Sequence, residues 1–261
     1  VMYRVRHRVV VFCAYVCMLG TLTGLVHAQV KAKGTDSGTK TPEASAASRQ
    51  DGVTVNAKSA ALLEGASGQL LASQNKDEKI PPASFVKVLT LYVVYDMIRR
   101  DKIKLTDEIY ISKKAWETGG SKMYLGVGAK VPLEDIIKGI AIVSGNDACV
   151  AVAEHISGNT ETFVKLMNET AQKLGMSNSH FDNPHGLPSG QYTTAYDMAI
   201  LARSYINDFP DALKIHSTLE YTYSGIRQDN RNTLLRKDST IDGLKTGFIA
   251  EAGYHLLATA K

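Results

Sequence analysis

A chain of 261 residues with 44% hydrophobic and 21% charged side chains has an ordinary globular composition, with room for one large domain or two lobes around a substantial core. Its formal charge of +4 comes without any basic cluster interleaved with aromatics, so nucleic acid is not an expected partner. Its seven histidines and three cysteines form no His-Glu-x-x-His and no Cys-x-x-Cys pattern, so no metal or other cofactor is expected.

Arg4, Arg6 and Arg8 precede an uninterrupted apolar stretch over residues 9–26, and Val26-His27-Ala28 offers small residues for cleavage after Ala28. Residues 1–28 are therefore expected to be a secretory signal peptide. The same stretch is just long enough to span a bilayer as an uncleaved anchor, but Thr21, Thr23, Gly24 and the cleavage site favour removal. Cys13 and Cys17 lie within it, and neither follows the small residues a lipid-attachment site needs. Removing its three arginines, with no acid among them, takes the formal charge from +4 to +1. Cys149 is then the one cysteine left, so no internal disulfide is available and stability must come from the core.

Residues 29–52 are rich in Lys, Thr, Ser, Ala and Gly without periodic apolar positions, and are expected to be a flexible tether. Residues 53–261 form the folded domain. It opens with two short strands over residues 59–72 joined by a glycine-containing turn. Pro81 and Pro82 then lead into a helix over about 84–100, apolar enough to be buried. Alternation at 108–111 and a glycine pair at Gly119-Gly120 follow. Helices are expected over 132–142, from Asn146 or Asp147 to His155, over 161–174 with Gly175 closing it, and over 197–206. The tail changes period, and 220–223, 242–249 and 253–260 read as strands. Strands at both ends with helices between imply a sheet assembled from the two chain ends around a helical middle.

The stretch Pro82-Ala83-Ser84-Phe85-Val86-Lys87 sets a hydroxyl and an amine three residues apart, hence on one helix face. That is a nucleophile beside a base, near a helix start where the dipole favours developing negative charge. Alone, such a pair would be a cap and a snorkelling lysine. Ser144-Gly145-Asn146, in a turn between helices, and Lys245-Thr246-Gly247, on a strand, complete the constellation. With Gly119-Gly120-Ser121-Lys122-Met123, His185-Gly186-Leu187 and Asp242-Gly243-Leu244, these motifs make the segment from about residue 60 resemble the D-alanyl-D-alanine carboxypeptidases, the low-molecular-mass penicillin-binding serine peptidases. Glycine in the middle of the second motif is typical of that family, whereas class A β-lactamases usually carry aspartate there.

The resemblance implies an α/β (α+β) fold of the β-lactamase and penicillin-binding-protein type: an antiparallel sheet from both chain ends, flanking helices and a helical lobe. It implies Ser84 as nucleophile, Lys87 as base, Ser144 as proton relay to the departing D-alanine, and Asn146 orienting Lys87 and the substrate backbone. Lys245 and Thr246 would hold the terminal carboxylate, with Lys245 also the second cation that keeps Lys87 neutral. Gly247 would let the substrate lie close, and the backbone N–H groups of Ser84 and Phe248 would form the oxyanion hole. The Phe248 side chain is expected to be an exposed or half-buried strand residue, Cys149 a buried apolar one, and His185 and His216 loop or surface residues. The implied substrate is the peptidoglycan pentapeptide, the implied inhibitors are β-lactams, and the implied place is extracytoplasmic or periplasmic.

Two departures stand out. Ile249 replaces a threonine common in relatives, and the chain stops at Lys261, where relatives continue with another strand, a closing helix and often an amphipathic membrane anchor. The domain is therefore expected to be truncated, with unpaired backbone along residues 254–260, and membrane association is expected only through segments this chain lacks. The rival readings are a β-lactamase with the same acylation machinery, disfavoured by the lack of an acidic loop between Ser144 and Lys245, and a non-catalytic wall-binding protein.

Overall fold

The computed structural model describes the backbone of residues 9–16 and, with side chains, residues 55–250 and 252–261. In chain order the strands are β1 (Val9–Val16), β2 (Ser59–Glu64), β3 (Leu70–Gln74), β4 (Glu108–Tyr110), β5 (Lys130–Pro132), β6 (Glu220–Tyr223), β7 (Ile226–Asp229), β8 (Ile241–Ile249) and β9 (Gly253–Ala260). The helices are α1 (Val86–Arg99), α2 (Lys113–Glu117), α3 (Leu133–Ala141), α4 (Asn146–Ser157), α5 (Thr160–Lys173), α6 (Ala195–Asp208) and α7 (Ala212–His216).

The main sheet runs β3-β2-β1-β9-β8, with every neighbouring pair antiparallel. Both chain ends thus build it, as the alternation of periods predicts. In the uncut chain one expectation fails. β9 does not present an open edge, because Val9–Val16 pairs with it on one side and with β2 on the other. The segment VVVFCAYV is rich in β-branched and aromatic residues, the composition that favours a pleated strand. It lies inside the stretch the sequence assigns to a leader. The rest of residues 1–28 and the tether at 29–52 lie outside the described residues.

α1 is apolar on every side and buried through Val94, which is the signature of a central helix and not of a surface one. It packs on α3, α5 and α6, while α6 also lies against β1 and β2. Capping matches the sequence signals: Asn159 accepts from the Thr162 N–H at 2.7 Å and Thr194 from the Asp197 N–H at 3.0 Å. Gly175, at φ 87°, follows α5 in the left-handed conformation that ends a helix. The sequence missed α2 and α7, of five residues each, and the strands β5 and β7. It also placed β6 in the main sheet, whereas β6 pairs only with β7 in a separate two-stranded ribbon. Elements this short carry too little periodicity to be read from a single sequence.

Candidate active site

Ser84 sits not in α1 but in the single 3-10 turn Ala83–Phe85 that precedes it. Ala83 has φ 47°, a left-handed conformation that costs a non-glycine residue about 1 kcal/mol or more. The kink turns the Ser84 hydroxyl back over the first turn of the helix. There Lys87 Nζ donates to Ser84 Oγ at 3.1 Å and to the His185 carbonyl at 2.5 Å. Lys87 is fully buried, and its chain neighbours Phe85, Val86, Val88 and Leu89 are fully buried too. Each of these contributes about 1.5–3 kcal/mol of burial, against a cost of about 3 kcal/mol for the amine. Burial lowers its pKa to about 8, against the opposing charges of Cys149 and Asp147. The Cys149 thiol is itself pushed up to about 12 by burial, so near neutral pH it is uncharged and Asp147 is the anion that matters.

The second motif arrives from the turn between α3 and α4. Ser144, at φ 65°, donates from Oγ to Ser84 Oγ at 3.2 Å, so a continuous chain runs Lys87, Ser84, Ser144. Asn146 is buried at the start of α4, and its Nδ2 donates to the Gly119 carbonyl at 2.7 Å. That bond fixes the 119–121 loop beside the serine pair, and among the described residues no hydrogen bond joins Asn146 to Lys87.

The third motif lies on β8, against the Ser84 turn. A Cβ built on Gly247 would stand 3.0 Å from Ala83 Cβ and 3.3 Å from the Ser84 N, so only a glycine lets the strand lie this close. Lys245 is buried, Thr246 half-buried, Gly247 buried and Phe248 exposed. Lys245 Nζ donates to the Thr246 carbonyl at 3.1 Å. Burial first, and then the charge on Lys87, take its pKa well below the lysine range. Burial is also the largest cause of the lowered pKa at Lys87. Ile249 is buried on the Lys245 and Gly247 face, so its side chain does not share the face that carries Thr246.

Three supports had no role assigned from the sequence. The first is the 183–187 loop, of which His185-Gly186-Leu187 was legible only as a shared motif. Thr90 donates to the Pro184 carbonyl at 2.7 Å, and Asn183 Oδ1 accepts from the Gly186 N–H at 2.7 Å, so the His185 carbonyl is presented to Lys87. Gly186 has φ 91°, and a Cβ there would run into the Ala83 carbonyl. His185 is loop-borne as expected; burial lowers its ring to about 4, and Nδ1 accepts from the Leu187 N–H at 3.2 Å. The second is Asp147, whose buried carboxylate accepts from the N–H groups of Met123, Tyr124, Leu125 and Ala148 at 2.9–3.2 Å. The third is His216, which is buried and not a surface residue. Its ring lies 2.9 Å from the Leu244 carbonyl and 3.1 Å from the Tyr205 hydroxyl, tying α7 and α6 to β8 next to Lys245. An aspartate after a motif asparagine, or a histidine in a short helix, has no spacing that announces such a role. Among the described residues no group of three or more His, Cys, Asp or Glu could hold a metal ion.

This arrangement can lend a serine hydroxyl to a buried amine and pass its proton onward through a second serine. Comparison with known proteins points the same way. A family profile described as D-alanyl-D-alanine carboxypeptidase matches residues 43–261. The chain is 46% identical over 215 residues to the D-alanyl-D-alanine carboxypeptidase DacC of Escherichia coli, covering 79% of this chain and 54% of that protein. It thus spans about half the length of the curated relatives it matches. Penicillin-binding protein 5 from Haemophilus influenzae superposes with a TM-score of 0.76 at 38% identity, over 80% of this chain and 65% of that one. Penicillin-binding protein D2 from Listeria monocytogenes, in its ampicillin-bound form, gives 0.71 at 26% identity over 81% and 91%. The fold is therefore that of the penicillin-binding proteins, and the chain belongs to the D-alanyl-D-alanine carboxypeptidase family.

Proposed function

We propose that this chain is the catalytic unit of a serine D-alanyl-D-alanine carboxypeptidase, which removes the terminal D-alanine of peptidoglycan pentapeptides and is acylated by β-lactams. The observation that carries this reading is the hydrogen-bonded chain Lys87–Ser84–Ser144, with a lysine whose pKa burial has brought to about 8. At pH 7 about a tenth of such an amine is neutral. In that form the contact reverses, and Ser84 donates to Lys87.

Ser84 Oγ then attacks the carbonyl carbon of the penultimate residue while Lys87 takes the proton. The oxyanion that forms accepts from the backbone N–H groups of Ser84 and Phe248. Collapse breaks the peptide bond, and Ser144 relays a proton to the departing D-alanine amine. Water hydrolyses the Ser84 ester that remains. Lys245 and Thr246 receive the substrate's terminal carboxylate, whose charge favours the ammonium form of Lys245. Asn146 keeps the 119–121 loop against the bound peptide, and Gly247 keeps the backbone of β8 open to it.

A β-lactam would follow the same path as far as the ester, in keeping with the ampicillin-bound Listeria relative. The extracytoplasmic place follows from the reading of residues 1–28 as a leader and 29–52 as a tether before the domain at 53–261. Leader and β1 are alternative fates of one segment, since the strand forms only in a chain that keeps it.

The test is incubation with a penicillin followed by intact-mass measurement, with Ser84→Ala in parallel, and D-alanine release from an acyl-D-Ala-D-Ala peptide. A stable adduct and D-alanine release, both lost in Ser84→Ala, are expected. Rapid turnover of the penicillin without a lasting adduct would favour a β-lactamase instead, and D-alanine release by a folded Ser84→Ala protein would refute the assignment.

A further inference from the structure

Just past Gly247, β8 carries a large apolar side chain for which the reaction above has no use. Phe248 is 56% exposed and Tyr254 50% exposed. They face each other across the β8–β9 ladder, with ring centroids 4.6 Å apart. Such a pair gains from mutual contact yet leaves two adjacent rings open to water, and exposed apolar surface of this kind marks a contact site.

Its position says which part of a ligand it meets. Along β8 the buried residues Lys245, Gly247 and Ile249 alternate with Thr246 and Phe248, so the latter two project from one face, roughly 6.5–7 Å apart. The opposite face, through Gly247, abuts the Ser84 turn. The acylated half of a substrate is drawn towards Ser84, while the half whose carboxylate is held by Thr246 lies on the Phe248 side. We infer that Phe248 and Tyr254 form an apolar wall of the subsite for the leaving, C-terminal residue. The wall selects terminal D-amino acids with apolar side chains, including ones larger than methyl, over polar or acidic ones.

This inference rests on the proposed function, and specifically on Thr246 holding the carboxylate. It is tested with acetylated Lys-D-Ala-D-Xaa tripeptides in which Xaa is alanine, leucine or glutamate. Release of Xaa is followed in the wild-type chain, in Phe248→Ala, which keeps the backbone N–H, and in Tyr254→Ser, whose side chain has no part in the chemistry. The leucine-to-glutamate ratio of kcat/KM is expected to fall about 10-fold or more in Phe248→Ala, the scale on which apolar pockets discriminate, and several-fold in Tyr254→Ser. The change is expected in KM more than in kcat, with the melting temperature unmoved. Equal losses for all three peptides, or an unchanged ratio in both variants, would overturn the wall. The penicillin adduct on Ser84 is measured in each protein. A wild-type chain that forms no adduct and releases no residue fails the underlying function and takes the wall with it. An adduct with unmoved ratios overturns the wall alone.

Discussion

Replacing Lys87 by methionine should make the protein more stable at neutral pH while abolishing acylation. Burial takes the Lys87 pKa from 10.5 to about 8. Each tenfold change in a protonation equilibrium corresponds to about 1.4 kcal/mol, so the folded state bears a cost of about 3 kcal/mol below pH 8. Methionine fills nearly the same volume without a charge to desolvate. Against this stand the amine's hydrogen bonds to Ser84 and His185, worth about 1 kcal/mol each, which leaves a net gain of about 1–2 kcal/mol. For a domain of this size that is roughly 2–8 °C in Tm. The pH dependence has a fixed sign. Between pH 8 and 10.5 the unfolded lysine still holds its proton while the folded one has lost it, so wild-type stability rises with pH across that window. The advantage of Lys87→Met is therefore largest below pH 8 and shrinks towards 10.5. Urea unfolding at pH 7 and pH 10, with penicillin acylation measured on the same samples, provides the check. A variant less stable than wild type at pH 7, or one whose advantage grows with pH, would refute the reasoning.

Other outcomes follow from the same geometry. Acylation by a penicillin should rise with pH along a limb centred near 8, as the neutral Lys87 amine is populated; in Asp147→Asn, which removes the nearby anion, stopped-flow rates should place that limb at lower pH. The same variant should lose about 2–4 kcal/mol of stability, because an amide cannot accept all four N–H groups that Asp147 receives, and thermal melts will show it. Gly186→Ala drives a Cβ into the Ala83 carbonyl at a positive φ, so acylation is expected to fall at least 10-fold, measured beside circular dichroism to confirm folding. His216→Phe leaves the Leu244 carbonyl and Tyr205 hydroxyl without their buried partner and should cost about 2–4 kcal/mol in urea unfolding. Cutting the chain after Ala28 removes β1 and bares facing edges of β2 and β9; a lower Tm than that of the uncut chain is expected by calorimetry.

Element types were legible from local pattern wherever that pattern ran long enough. The central helix showed in its unbroken apolar run after Pro81-Pro82, α3 and α5 in their helical spacing, and β8 and β9 in alternation near the chain end. The three motifs pointed to Ser84, Lys87, Ser144, Asn146 and Lys245 through their resemblance, in this order along the chain, to a known family. Contacts between segments far apart in sequence had to come from the folded structure. The 3-10 kink that aims Ser84, the His185 carbonyl that receives Lys87 from 98 residues away, and the four N–H groups gathered on Asp147 are products of packing, for which no local spacing codes. The same holds for the lowered pKa values of Lys245 and Lys87, since desolvation depends on everything that surrounds a charge. The partner of β9 was likewise not legible, because a strand's own residues specify its pleat and its faces but not which distant segment completes its hydrogen bonds.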